Sequence, residues 1–435
     1  MALASAPGKV ILFGEHAVVY GVTAVSAALS DLRIFVSVHS LGEASERLDV
    51  YLYDLKGPGE ERPAPLSVPY ETLRHLLPRR DGCSALMAEN PKEEELAPMR
   101  DEFSHISPQA SQGVMAICYL VSRLLPELVE SGVGLKIDVK SIGLPIGAGL
   151  GSSAAFSVAL AASLMQMRQR LFADLSSAAD IGDAGQAYCA ALDVAKQEGS
   201  SLPTVFDLER INQSGVPGWV PPATLLPVLN AWAYAAEVVI HGAPSGLDNT
   251  TSCFGGALKY DKNAGKFDTL AKLPDIQILL TNTKVPRSTK QLVAGVRTLY
   301  DKLPSVLKPI FDAVEGISQR FLEIIGRDST VGNQEQLVEE IGTLFRINQD
   351  LLNAMGVGHS SLNSVCEASK SQGFACKLTG AGGGGCAITL LNSSSLEPSG
   401  GDNGRVILQK KLADLGFETF QSALAGDGVK WHLST

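Results

Sequence analysis

No C-x-x-C pair occurs in the chain: its seven cysteines, Cys83, Cys118, Cys189, Cys253, Cys366, Cys376 and Cys386, are scattered and odd in number. This argues against a zinc centre and suits a reducing compartment. Basic residues are also in short supply, with 36 Lys and Arg against 46 Asp and Glu for a net charge of −10. Nothing therefore supplies the field that a nucleic-acid backbone requires, and no nucleic-acid partner is expected. The N-terminal apolar run Val10-Ile11-Leu12-Phe13 is only four residues long before Gly14-Glu15-His16, so no export is expected and the protein reads as cytoplasmic. Residues 141–167 lack any charge, yet a proline, four glycines and several serines contradict a continuous lipid-facing helix. No membrane partner is expected. The ending His432-Leu433-Ser434-Thr435 is not a peroxisomal signal. The glycine run at 147–151 does not fit the common phosphate-site signatures. Gly151, not Lys, precedes Ser152, which rules out Walker A; the glycine run is G-x-G-x-G rather than G-x-G-x-x-G, and the H-R-D and D-F-G segments of protein kinases are absent.

What is present is glycine, 43 of 435 residues, and its most telling cluster is Pro145-Ile146-Gly147-Ala148-Gly149-Leu150-Gly151-Ser152-Ser153-Ala154-Ala155. Glycine tolerates positive φ and has no Cβ, so the backbone can turn tightly and bring its N–H groups against an anion. The alanine-rich run that follows reads as a helix whose N-terminus aims unpaired N–H groups and a positive dipole end at the same point. Ser152 or Ser153 can cap it, leaving a hydroxyl for a phosphate or a metal. Pro145, Gly147, Ala148, Gly149, Leu150, Gly151, Ser152, Ser153 and Ala154 are therefore the expected phosphate cradle. Such a site in an acidic chain must concentrate its cations, and Lys9, Lys284, Arg287 and Lys377 lie in or beside the notable motifs.

A hydrophobic fraction of 45% with 19% charged residues argues against disorder, and the length allows two domains. The pattern is mixed α/β. Strands are expected at 9–13, 33–39, 135–139, 255–260 and 276–281, and helices at 112–129, 288–301, 334–355 and 404–415, while 232–240 is an apolar run entering a turn at 241–248. The 57–65 stretch reads as loop, 81–102 and 200–222 as solvated insertions, and 393–402 as a turn-rich loop.

The 145–155 motif resembles the second motif of the GHMP kinase superfamily at every defining position. Ala6-Pro7-Gly8-Lys9-Val10-Ile11-Leu12-Phe13-Gly14-Glu15-His16 and Lys377-Leu378-Thr379-Gly380-Ala381-Gly382-Gly383-Gly384-Gly385-Cys386 are similar to its first and third, in the right order. His241-Gly242-Ala243-Pro244-Ser245-Gly246-Leu247-Asp248 resembles the H-G-x-P-S-G-x-D segment of the mevalonate kinase family, and Thr281-Asn282-Thr283-Lys284-Val285-Pro286-Arg287 another stretch of it. The resemblance implies a two-domain α/β (α+β) fold, a ribosomal-protein-S5-like domain at 1–271 and a ferredoxin-like domain at 272–435, with ATP between them. It implies Mg²⁺-dependent transfer of a phosphoryl group from ATP to mevalonate, with Asp248 as base, Lys9 assisting, and Ser153 and Glu237 on the metal. For Glu237 the support is its spacing of 11 residues from Asp248 (248 − 237). Glu15, His16 and His241 are expected near substrate together with Gly380, Ala381 and Gly382, whose loop braces the first glycine loop. Phe156 departs from the tyrosine of many relatives. A homodimer is expected, as is inhibition by prenyl diphosphates for whose tails the apolar 154–167 stretch supplies part of a wall. The alternatives are a sister kinase acting on phosphomevalonate, galactose or homoserine, and a non-catalytic nucleotide sensor.

Overall fold

The computed structural model describes residues 1–42, 45–55, 63–80, 87–171, 218–270, 273, 276–327, 334–391 and 404–432. The loops expected at 57–59 and 393–402, the 81–86 and 200–217 parts of the two insertions, and Pro274-Asp275 of the domain link lie outside the described residues.

Two sheets organise the chain. Among the described residues the larger has nine strands in the order β4-β3-β5-β2-β1-β13-β6, with β7 and β8 continuing from β2. They are β1 (Ala2–Phe13), β2 (Ala24–Gly42), β3 (Arg47–Leu52), β4 (Leu66–Pro69), β5 (Gly134–Ile142), β6 (Gly218–Trp219), β7 (Ala257–Asp261), β8 (Lys266–Thr269) and β13 (Lys430–His432). All pairings are antiparallel except β3 with β5. The smaller sheet runs β10-β11-β9-β12, from β9 (Gln277–Asn282), β10 (Cys376–Leu378), β11 (Cys386–Leu390) and β12 (Glu418–Ala423). Sheet membership thus changes between Thr269 and Gln277, and the last strand returns to the first sheet beside β1. The halves share one core, in which Phe13 of β1 lies 5.1 Å from Phe321 and 5.5 Å from Phe345 between ring centroids.

The helices are α1 (Tyr70–Leu76), α2 (Glu93–Glu102), α3 (Pro108–Leu124), α4 (Pro126–Ser131), α5 (Ser152–Leu171), α6 (Leu226–His241), α7 (Leu247–Phe254), α8 (Thr289–Lys302), α9 (Pro304–Ile325), α10 (Gln334–Ala354), α11 (Ser360–Lys370) and α12 (Gly404–Asp414). Helix α5 is apolar all round because it is covered all round, by β1 and β2 below and by α6 and α7 beside it. Every residue from 154 to 168 is buried. No helix among the described residues is long and apolar enough to cross a membrane.

Several elements differ from their sequence signals for identifiable reasons. β1 begins seven residues before Lys9, because Pro7 and Gly8 sit at a register shift against β2 rather than ending the strand. The single helix expected at 112–129 is two, split at Pro126. Residues 232–240 are helical, within α6, and 304–325 and 360–370, which carry no expectation, form α9 and α11. The charge run at 92–95 is not simply a solvated surface. Glu95 is buried and takes Arg123 and Arg80 at 2.5 and 2.6 Å.

Candidate active site

The glycine loop owes its shape to three left-handed residues, Gly147, Gly149 and Gly151, at φ 74°, 82° and 72°. It ends at Ser152, the first residue of α5, so the helix N-terminus faces the space that the loop encloses. The loop is fastened to β1 by the Lys9 N–H, which donates to the Leu150 carbonyl at 2.8 Å. A Cβ at Gly151 would come within 2.9 Å of Lys9 Cγ, so the missing side chain is what lets the Lys9 stem cross the loop.

That stem delivers a buried ammonium. Lys9 Nζ lies 3.0 Å from Asp248 Oδ1, with the Lys9 side chain 5% and the Asp248 side chain 39% exposed. Asp248 occupies the first turn of α7, where a carboxylate often caps the helix; no side-chain cap bond forms here, and the carboxylate meets Lys9 instead. The turn before it depends on Gly246 at φ 81°.

Glu237, on α6, is buried beside them. Its carboxylate accepts from Ser157 Oγ at 3.1 Å and Ser153 Oγ at 3.4 Å, and His241 Nε2 sits 3.0 Å from Ser153 Oγ. Burial, reinforced by the nearby Asp248 charge, pushes the Glu237 carboxyl up to about 7, against the serine hydrogen bonds and Lys9. A buried carboxylate short of positive charge, with a hydroxyl beside it, is a donor set that fits a hard dication. Mg²⁺ in kinase sites takes only one or two protein oxygens, with phosphate and water completing its shell. The lack of a larger His/Cys/Asp/Glu cluster among the described residues is compatible with that.

The second glycine loop closes on the first. A Cβ on Gly380 would lie 3.7 Å from the Gly149 carbonyl oxygen, and Thr379 Oγ1 donates to the Ile11 carbonyl and accepts from the Ile11 N–H, each at 3.0 Å. Between the loops lies Arg287. Its Nη2 donates to the Ala148 carbonyl at 2.8 Å, its Nη1 is buried without a partner, and burial lowers its pKa. Side chains on Gly149 or Gly385 would put Cβ 1.5 or 1.0 Å from the guanidinium nitrogens. The sequence marks Arg287 only as one nearby cation.

The other expected residues take distinct places. Glu15 is fully buried in contact with Lys377 and accepts from Asn348 Nδ2 at 3.2 Å; burial raises its carboxyl against the pull of Lys377. His16, held at φ 56°, directs Nε2 to the Ala381 carbonyl at 2.8 Å and leaves Nδ1 buried without a partner. Gly382 turns against Val357. Of the four cations near the motifs, Lys377 is thus spent on Glu15 and Lys284 on Glu418 at 2.7 Å. Lys9 and Arg287 remain at the cradle. A cavity of about 390 Å³ opens there, with Ser152, Ser153, His241, Asp248 and Arg287 at its polar end and Ile34, Leu52, Val139, Ile146 and Phe156 along its wall.

Comparison with known proteins identifies the family. Residues 112–198 match the family model "GHMP kinases N terminal domain" and residues 333–398 match "GHMP kinases C terminal". The chain is 35% identical to the mevalonate kinase of Homo sapiens, over 100% of this chain and 95% of that one. It is 32% identical to the mevalonate kinase of Arabidopsis thaliana, over 98% of each. The fold matches the crystal structure of L. major mevalonate kinase in complex with R-mevalonate with a TM-score of 0.62 at 21% identity, covering 97% of this chain and 95% of that one. On this sequence similarity and this fold, the chain belongs to the mevalonate kinase family of GHMP kinases.

Proposed function

We propose that the protein transfers the γ-phosphoryl group of ATP to the primary hydroxyl of mevalonate, giving 5-phosphomevalonate. The observation that carries this reading is the 3.0 Å Lys9–Asp248 pair set against the glycine-loop cavity. Phosphoryl transfer asks for positioning and charge neutralisation rather than a covalent enzyme intermediate. The 147–153 loop and the α5 N-terminus supply backbone N–H groups for the phosphates, and Arg287 adds a cation whose Nη1 has no protein partner. Ser153 and Glu237 would hold Mg²⁺, which supplies neutralisation of phosphate charge when bound.

Asp248 takes the proton of the attacking hydroxyl. A carboxylate is a weak base toward an alcohol, so the transfer comes late, as the new P–O bond forms. Lys9 holds the carboxylate in place at 3.0 Å and steadies the charge that develops on the oxygens. Glu15, held by Lys377 and Asn348, fixes the chain reversal that carries His16, and His16 with the 380–382 loop borders the acceptor side. The intact Lys9, Glu237 and Asp248 also speak against a non-catalytic sensor, which needs no base. Asp248→Asn keeps the shape and loses proton acceptance, so turnover should drop about 10²–10⁴-fold while the affinity for an ATP analogue stays within a few-fold. Weakened nucleotide binding with unchanged turnover would overturn the assignment.

Prenyl diphosphates would use the same cavity with less of the 154–167 stretch than expected. Of that stretch, buried throughout in α5, only Phe156 lines the cavity, and the apolar wall is otherwise formed by residues such as Ile34, Leu52, Val139 and Ile146. Farnesyl diphosphate should therefore raise the apparent KM for ATP without lowering the maximal rate; inhibition that ATP cannot relieve would place the inhibitor elsewhere.

A further inference from the structure

Away from the cavity, two sulfur atoms meet between α11 and the smaller sheet. Cys366 of α11 points its thiol at Cys376, the first residue of β10, with the sulfurs 3.5 Å apart. Cys366 is half-buried and Cys376 is 5% exposed. Around Cys376 lie Thr389, its register partner on β11, and Ser369, one turn along α11 from Cys366; their hydroxyls share a 2.9 Å hydrogen bond. Lys377 follows directly in the chain.

This setting favours charge on one sulfur. Burial raises the Cys376 thiol, but the Cys366 S–H, the Thr389 and Ser369 hydroxyls and the Lys377 ammonium together bring it below the ordinary thiol range. Cys366, donating to Cys376, is raised. The other described cysteines differ. Cys118, Cys253 and Cys386 are fully buried with thiols raised by burial, and a protonated, inaccessible thiol is inert.

We propose that Cys366 and Cys376 are a dithiol modification site, which a hydroperoxide converts to an intramolecular disulfide in the folded protein. The Cys376 thiolate first takes the Cys366 proton, and the Cys366 sulfur, the one that solvent reaches, attacks the peroxide; the O–O bond breaks, Cys366 becomes a sulfenic acid, and the reduced peroxide leaves as water or alcohol with a proton from solvent. The Cys376 sulfur then attacks the Cys366 sulfur, the S–O bond breaks, and the departing hydroxide takes the Cys376 proton as water. Two thiols and one hydroperoxide thus give one disulfide, one water and one further water or alcohol. The sulfurs need only close from 3.5 Å to about 2.05 Å. The bond fastens α11 to the strand that carries Lys377, and the inference does not depend on which alcohol the enzyme phosphorylates.

The test is to treat the reduced full-length protein with hydrogen peroxide under native conditions, then titrate thiols, weigh the intact chain and map its peptides. The expected result is the loss of two thiols and two hydrogens in mass, a linked peptide pair containing Cys366 and Cys376, and full reversal by dithiothreitol. Cys376→Ser should stop at a sulfenic acid on Cys366 that dimedone traps. Wild-type protein that over-oxidises Cys366 while Cys376 stays free, links only Cys83 or Cys189, or loses no thiols in peroxide that oxidises glutathione would overturn the proposal.

Discussion

At Glu237, burial and charge oppose one another, and the balance gives a pH dependence. With its carboxyl pushed up to about 7, the folded protein holds a proton that the unfolded chain, with a carboxyl near about 4.3, has released. The protonated form therefore supports folding below the unfolded value, and that support is lost as pH rises toward 7. Metal-free protein should melt lower at pH 8 than at pH 6, and Glu237→Gln should remove most of that difference. Metal binding runs the opposite way because it needs the carboxylate. Affinity for Mg²⁺ with a non-hydrolysable ATP analogue should weaken about tenfold per pH unit below 7 through this group, and Glu237→Gln and Ser153→Ala should each raise the Mg²⁺ demand. Calorimetry that finds the same Mg²⁺ affinity in wild type and both variants would remove them from the metal shell.

Among the elements, the two glycine loops owe their contact to absent side chains. Gly385→Ala would place a Cβ 1.0 Å from Arg287 Nη1 at φ 71°, so the guanidinium must leave. A displaced charge-assisted hydrogen-bond donor costs about 1.5–3 kcal/mol, and kcat/KM should fall at least about tenfold. Gly265→Ala, in the β7–β8 hairpin at φ 61° with open space around it, carries backbone strain of about 1–2 kcal/mol without touching Arg287. It should lower stability and leave kcat/KM near wild type; equal kinetic effects from the two would show that strain, not Arg287, is responsible. The elements also divide what the sequence makes legible. The glycine loops could be read because glycine conformations and helix starts are local, with their residue types fixed by short-range sterics, whereas Lys9 and Asp248 stood out only through the resemblance of their segments to family motifs. The place of Arg287, 139 residues from the Ala148 carbonyl that it donates to, the Glu15–Lys377 pair and the Cys366–Cys376 contact come from tertiary packing, which periodicity does not encode. β1 was read short for a related reason: a proline and a glycine stop a strand locally, and only the neighbouring strand shows that they make a bulge.

For the molecule as a whole, the last strand closes the architecture. β13 pairs with β1, and Trp431, fully buried, donates its indole N–H to the Ala162 carbonyl of α5 at 2.9 Å. The last strand thereby braces the helix whose first turn faces the nucleotide cradle, and β1 meets α9 and α10 through the Phe13, Phe321 and Phe345 cluster. This core holds Asp248 from mid-chain and Arg287 after β9 on the wall of one cavity, with Lys9 of the first strand behind Asp248 and Glu237 behind Ser153. The most direct test of the central claim, that this assembly phosphorylates mevalonate, is a steady-state assay with Mg²⁺ and ATP in which mevalonate, phosphomevalonate, galactose and homoserine are offered separately. The account predicts robust turnover of mevalonate alone; turnover of galactose, homoserine or phosphomevalonate with none of mevalonate would contradict it.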